Sequence, residues 1–389
     1  MRTLLFSTLY PSSVRPIHGI FVETRLRELL KSGEIETRVV APVPWFPFSG
    51  ACFGKYGKFA ATPRFECRNG VEVHHPRYLL PPRIGMHIAP YSLAKGALPV
   101  IRRLIHDGFD FDLIDAHYYY PDGVAAGLLA EWLSKPLVVT ARGTDLNLIA
   151  DYSRPKALIL ETAARASASI GVCKALMDRL AELGADPGKL HVLRNGVDLE
   201  RFQPVDREEA RRQLGLPMEQ RILLSVGSLI EHKGHHIAIK AMARLRDSLL
   251  VIVGFGAELP RLKKLSEDLN VADRVRFVGQ VPNEQLKTWY SAADVLVLCS
   301  SREGWANVLL ESMACGTPVV ASDIPGTREV VQSTAAGILV ANRTADSLAD
   351  GIEKLFCGLP TRTQVRAYAA GFDWTPTTRG QLEIFRAIL

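Results

Sequence analysis

Apolar and polar positions along this chain keep two rhythms. Short β-branched and aliphatic runs bounded by Gly, Pro, Asn or Asp alternate with longer stretches in which apolar residues recur every third or fourth position. The first rhythm predicts strands, the second amphipathic helices, and their alternation predicts parallel sheets wound with helices. In the first half the predicted strands are Thr3–Thr8, Thr37–Ala41, Leu113–Ala116, Leu137–Thr140, Ala168–Val172 and Leu190–Leu193. A second series follows at Arg221–Val226, Leu249–Val253, Val275–Val278, Val295–Leu298, Pro318–Ala321 and Gly337–Val340. Two such series predict an α/β chain of two Rossmann-like domains, 1–195 and 196–371. The segment NGVDLERFQPVDREEARRQLGLP, starting at Asn195, is polar, carries Pro204 and Pro217, and reads as a hinge region.

Composition narrows the class. With 389 residues, 47% apolar and 23% charged, the chain can bury two sizeable cores and is not a disordered protein. It has no run of eighteen apolar residues, and MRTLLFSTLYP has a single Arg and no small-residue cleavage site. That start reads as a strand, so a soluble, cytoplasmic protein is expected. The six cysteines lack paired short spacings and histidine neighbours, which predicts reduced thiols and no metal site. The net charge of +6 is uneven: residues 1–170 hold 20 Lys/Arg against 15 Asp/Glu. A basic first half suits an anionic partner. No recognisable nucleic-acid module is present, so a phosphorylated lipid or a membrane surface is expected rather than nucleic acid.

In open α/β sheets, ligands collect beyond the carboxyl ends of the strands. Glu303 follows the strand VLVLC in the loop SSREGWAN, and Asn307 reads as the N-cap of a helix through VLLESMAC. The unpaired amides of that helix start, near Asn307 and Val308, suit phosphate oxygens. Glu311 stands eight residues after Glu303. With Glu303 in the loop, the two carboxylates can face one elongated ligand with hydroxyls at each end and a diphosphate between, which describes a nucleotide sugar. The alternatives are a solvated helix face for Glu311, against which its apolar neighbours Leu310, Met313 and Ala314 argue, and a surface loop carboxylate for Glu303. Lys233 follows a strand and a short loop in SVGSLIEHKG, where its ammonium can reach a phosphate and stabilise a departing nucleoside diphosphate; an ordinary surface lysine is the alternative. Gly19, in RPIHGIF, permits close backbone approach and also fits a simple turn.

Taken together, these stretches resemble the retaining glycosyltransferases of family 4. The resemblance is carried by Glu303 and Glu311 followed by ACGTPVVAS, by SVGSLIEHKGHH, VLRNGVDLERFQP, VGQVPNEQL and HGIFVETRLREL, and it spans nearly the whole chain. It implies a GT-B fold, two Rossmann-like domains with parallel sheets facing a central cleft, and a last helix over about 372–389 returning to the first domain. It further implies donor contacts at Gly19, Asn195, Gly227, Ser228, Lys233, Gly254, Val281, Asn307, Val308 and Glu311, with Glu311 on the ribose and Glu303 on the sugar. His117, Lys233 and Glu303 would be the catalytic residues, with His117 near the anomeric carbon. Arg142 and Asp145, in VVTARGTD, would line the acceptor side. The family usually carries Arg directly after the Gly of VG, where this chain has Ser228; Arg194, Arg142 or His232 are the candidates to replace it. Many members also have two glycines where Gly19 stands alone. The chemistry implied needs no metal, no cofactor beyond the nucleotide-sugar co-substrate and no protein nucleophile.

The resemblance therefore implies transfer of a hexosyl group from a UDP- or GDP-sugar to a glycan or lipid-linked acceptor in cell-surface polysaccharide synthesis, with a noncatalytic nucleotide-sugar sensor as the alternative. APVPWFPFSGACFGKYGKFA sets Trp45, Phe46, Phe48, Phe53, Tyr56 and Phe59 beside two lysines. That composition suits peripheral contact with the inner face of the cytoplasmic membrane, and equally a loop folded onto its own domain. RIGMHIAPYSLAKGALPVIRRL, from Arg83, adds basic residues to apolar ones as a second edge of the acceptor side. A nicotinamide oxidoreductase is disfavoured by GFGAEL, which has Leu259 where the fingerprint needs a third glycine, and by a first strand with no GxGxxG after it.

Overall fold

The computed structural model describes residues 1–81 and 85–389; Arg83 and Ile84, which open the RIGMHIAP stretch, lie outside them. The chain divides into two units, Met1–Arg194 with Pro376–Leu389, and Asn195–Thr375.

In the first unit the sheet order is Leu190–Val192, Ala168–Gly171, Leu137–Ala141, Leu113–His117, Arg2–Phe6, Glu36–Val40, Val71–His74, Phe65–Arg68. Neighbours are parallel except the last pair. Leu113–His117 and Leu137–Ala141 are buried at every position, because helices cover both faces of a parallel sheet. In the second unit the order is Val275–Gly279, Ser248–Val253, Arg221–Val226, Val295–Leu298, Val319–Ser322, Gly337–Val340, all parallel. Each predicted strand forms within two residues of its expected bounds.

Three features differ from expectation. The first sheet gains a hairpin, Phe65–Arg68 with Val71–His74, turned by Asn69 and Gly70 at φ 50 and 78, the two left-handed residues of a tight hairpin turn. Val43–Pro44 also pairs with Arg77–Tyr78 as a separate two-stranded sheet. Finally, the polar segment 195–217 is not a bare linker but part of the second unit. It contains the helix Arg207–Leu214, whose start is capped by Asp206 accepting from the Glu209 amide at 2.9 Å. The buried Arg211 pins it, donating to Ala292 O, Met218 O and Asp294 at 3.0, 2.6 and 2.7 Å. A polar sequence becomes ordered because one guanidinium satisfies several carbonyls at once.

The helix Thr375–Ile388 belongs to the first unit. Its Leu382, Ile384 and Phe385 share a core with Leu29, Leu113, Val138 and Ile170.

Candidate functional site

Parallel strands end at one edge of the sheet, so the loops that follow them are gathered there. In the second unit that edge carries Gly227 and Ser228 after Arg221–Val226, Gly254 after Ser248–Val253, Val281 after Val275–Gly279 and Glu303 after Val295–Leu298. The glycines permit the crowding. A Cβ on Gly254 would stand 1.8 Å from Gly227 O. His235 fastens the same loop: its Nδ1 receives Ser225 Oγ at 2.9 Å and its Nε2 faces Ser228 O at 3.2 Å. Burial pushes its imidazole down to about 4, so it is a neutral strut.

Lys233 closes the loop. Its Nζ donates to Glu303 Oε1 at 2.6 Å, and Ser300 Oγ donates to the same oxygen at 2.6 Å. The residue expected on the donor phosphate and the one expected on the donor sugar are therefore in direct contact, and a phosphate on Lys233 would lie beside the group meant for the sugar. Gly234, at φ 75, makes this approach possible, since a Cβ there would meet Cys299 O at 2.1 Å.

The helix Asn307–Ala314 starts one residue later than expected: Ala306 holds the N-cap position, with no side-chain cap. Asn307 instead accepts from Asn195 Nδ2 at 3.3 Å, which ties the start of the second unit to the helix tip. The Asn307 amide turns to Trp305 O at 3.1 Å, whereas the Val308 amide makes no such loop bond among the described residues. Glu311, on the first turns of this helix, accepts from Tyr290 Oη at 2.7 Å. Burial raises its carboxyl to about 7, against the pull of the Tyr290 hydroxyl and Arg201.

Ser228 is exposed and supplies no charge. Of the replacements considered, His232 is held below its ordinary range by burial and then by Arg302. Arg302, which directly precedes Glu303 and whose Nε is buried without a hydrogen bond, is a cation near this loop that sequence reasoning did not single out. Arg194 lies in the first unit, exposed.

The first unit has its own polar cluster where Leu113–His117 and Leu137–Ala141 end. His117 is 1% exposed. Arg142 donates to its Nδ1, and its Nε2 faces Asp115 Oδ2 at 3.3 Å. Burial pushes the imidazole down to about 4, opposed by Asp115. Both ring nitrogens are engaged within the protein, so the ring orients Arg142 and Asp115. Behind it, Gln381 from the last helix donates to Asp115 Oδ2 at 3.0 Å and accepts from the buried Arg25 Nε at 2.8 Å. Asp115, Arg25 and Gln381 carried no signal beyond ordinary polar residues in helical or strand stretches.

Asp145 is fully buried, and its carboxylate accepts from the amides of Tyr119, Arg142 and Gly143 at 2.7–3.2 Å. It shapes the loop that carries Arg142. Gly19, at φ 68, starts the helix Ile20–Leu30, and the close approach it permits is to its own chain, with a Cβ falling 2.2 Å from Leu9 O. The loop between Phe6 and Gly19 is anchored by Asp122, which accepts from the Thr8 amide and, at 3.1 Å, from its hydroxyl.

The aromatic tract is in part folded onto itself and in part exposed. Phe46 packs on Phe53 and Tyr56 at 5.4 and 5.3 Å, while Trp45 and Phe48 remain 54% and 57% exposed. The stretch beyond Ile84 forms one helix, Gly85–His106, with Met86 and Tyr91 exposed. No helix among the described residues is long and apolar enough to cross a membrane.

Residues 20–201 match the family described as Glycosyltransferase Family 4, and residues 206–372 the family described as Glycosyl transferases group 1. The chain is 32% identical over 360 residues to a Bacillus subtilis (strain 168) protein provisionally named a teichuronic acid biosynthesis glycosyltransferase, TuaC, covering 91% of this chain and 89% of that one. It is also 32% identical to a D-inositol 3-phosphate glycosyltransferase of Catenulispora acidiphila, over 85% of each chain. Among solved structures, sucrose-phosphate synthase from Thermosynechococcus elongatus superimposes with a TM-score of 0.81 at 22% identity, covering 99% and 98% of the two chains. Anabaena HepE in complex with UDP-glucose superimposes at 0.75 and 21%, covering 99% of each. These two likenesses concern the fold.

Proposed function

The chain belongs to glycosyltransferase family 4, with the GT-B fold, and from that premise we propose that it is a retaining hexosyltransferase using a UDP- or GDP-sugar. The observation that carries this reading is the Lys233–Glu303 contact of 2.6 Å at the sheet edge where Gly227, Gly254 and the helix start at Asn307 also converge.

In this reading the donor diphosphate exchanges for Glu303 on the Lys233 ammonium and takes the Val308 amide, with Arg302 adding positive charge. Glu303, released, accepts from sugar hydroxyls, and Glu311 accepts from the ribose. The bond from the anomeric carbon to the diphosphate oxygen breaks with its electron pair going to the diphosphate. The acceptor hydroxyl oxygen bonds to that carbon on the same face, and its proton goes to the departing phosphate oxygen. Lys233 stabilises the charge that develops on the leaving group. No metal and no cofactor enters this scheme. Arg142, oriented by His117, serves the acceptor, which we take to be a glycan or lipid-linked saccharide of a cell-surface polymer. The name of the Bacillus relative supports that choice. The exposed Trp45 and Phe48 with the neighbouring lysines support a peripheral seat on the cytoplasmic membrane face.

A thermal-shift panel of UDP-, GDP- and ADP-sugars tests the donor, because ligand bound to the native state raises its midpoint. Lys233→Ala is expected to lower turnover by about 10²-fold or more with folding unchanged. A variant that keeps more than about a tenth of the wild-type rate removes Lys233 from the reaction. Donor binding with no transfer to any saccharide acceptor would favour the sensor reading.

A further inference from the structure

The first unit holds a pocket that donor chemistry leaves unused. It has a volume of about 410 Å³ and lies between the strand Arg77–Tyr78, the end of Val71–His74 and the second half of the helix Gly85–His106. Gly96 brings the helix onto the strand, since a Cβ there would stand 2.5 Å from Arg77 O. Pro99, Val100 and Leu104 are among the apolar residues lining the pocket, and Arg64, Arg77 and Arg103 are its arginines.

Those guanidiniums stand apart from others in the unit. Arg2 pairs with Glu36, Arg38 with Glu72, Arg68 with Glu23 and Arg165 with Glu131. Among the described residues, Arg64, Arg77 and Arg103 make no ion pair, and the one carboxylate on the lining, Asp107, contacts His106 at 3.2 Å. Arg77 is fixed in place: Nη1 donates to His75 O at 3.0 Å and Nη2 to Thr62 O. Burial, and then Arg64, lowers its proton affinity, and Arg15 is a further cation within reach of it. Residues 1–110 hold fifteen Lys/Arg against eight Asp/Glu. A half-buried cation held rigid, with a second cation near and no carboxylate paired to it, is costly unless an anion completes it.

We propose that this pocket binds a phosphate ester, its phosphate on Arg64, Arg77 and Arg103 and its carbon skeleton against Pro99, Val100 and Leu104. Guanidinium forks match phosphate oxygens in pairs, and several of them match a group that carries close to two charges. The chain places two sources within reach. The helix Lys55–Ala61, with Tyr56 exposed, ends beside Thr62, whose carbonyl holds Arg77, so a lipid headgroup fits; a soluble sugar phosphate offers the same chemistry.

The full chain is titrated by calorimetry with glycerol 1-phosphate and with glycerol, and floated with phosphatidylcholine vesicles with and without phosphatidic acid. Arg77→Ala removes support from two carbonyls and can unfold the unit, so the decisive variant is the double change Arg64→Ala with Arg103→Ala at exposed positions. Wild type is expected to bind the phosphate ester over glycerol, and the double variant to bind at least about tenfold more weakly. The midpoint shift with a nucleotide sugar should be unchanged, which separates this site from the donor reading. Binding to anionic vesicles alone assigns a lipid source; equal binding of the soluble ester assigns a soluble one. The proposal is overturned if neither ligand binds, or if the double variant binds as tightly as wild type.

Discussion

Glu311 shows how one neighbour sets the working range of a carboxylate. Burial lifts it to about 7, and the Tyr290 hydroxyl restrains that rise. If Glu311 takes the ribose as proposed, the hydroxyl donates to the ionised form, so nucleotide affinity should fall as pH drops through about 7. Folding runs the other way. The native carboxyl binds protons between its ordinary range and about 7 while the unfolded chain does not, so its contribution to stability declines as pH rises through that window. In Tyr290→Phe the restraint is gone and the carboxyl moves further up. Calorimetry should find nucleotide binding weaker by roughly tenfold near neutral pH, with the deficit shrinking in more alkaline buffer; an equal deficit at every pH would show that Tyr290 only fills space. Lys233 and Glu303 were legible as residues of loops that follow strands, and Glu311 as a carboxylate on the helix after Glu303; their donor roles came with the family resemblance. Asp115 and Gln381 were not, because their bond joins residues 266 apart, and no local pattern announces a partner at that distance. His117 was legible as a strand-end histidine, but its engaged ring nitrogens are a matter of packing.

At the scale of elements, the loop that presents Lys233 depends on a glycine more than on any side chain. Gly234 combines a left-handed φ of 75 with a Cβ position 2.1 Å from Cys299 O. Gly234→Ala must either move the loop off the end of Val295–Leu298 or strain both. We expect a loss of at least about 2 kcal/mol, measured by urea unfolding, together with loss of transfer. Full stability in that variant would mean the loop is free to relocate. The strands were read correctly because helix-covered parallel strands are uninterrupted apolar runs bounded by turn residues. The hairpin at Asn69 and Gly70 escaped although Asn-Gly between short β-forming stretches is a strong turn signal; its strands, Phe65–Arg68 at the sheet edge and Val71–His74 beside it, are half polar with little apolar weight. The helix Arg207–Leu214 escaped for a similar reason. Its stretch reads as a linker until Arg211 is seen buried against carbonyls of neighbouring loops.

For the molecule as a whole, the consequential element is the last helix. It supplies Leu382, Ile384 and Phe385 to the core of the first unit and Gln381 to Asp115 and Arg25. Deleting Pro376–Leu389 should cost more than about 5 kcal/mol, since each large apolar loss is worth about 2–5 kcal/mol, a sum comparable to the whole stability of a domain. Hydrogen exchange should then find Leu113–His117 unprotected and Val295–Leu298 still protected, because the second unit is continuous in sequence. Retained protection in both strands would make the helix an ornament. The two-fold repetition of strand and helix made the pair of units readable at once; that the first should need residues from the far end came only with the family resemblance.

Synthesis runs from the amino-terminal side of a chain to the carboxyl-terminal side. The half that leaves the ribosome first is thus the half that finishes last: until the final helix emerges, Arg25 and Asp115 lack the amide that joins them, and the apolar face of Leu113 and Ile170 lacks its cover. In the cell, nascent-chain chaperones should be found waiting on the earlier portion while the later one is already compact.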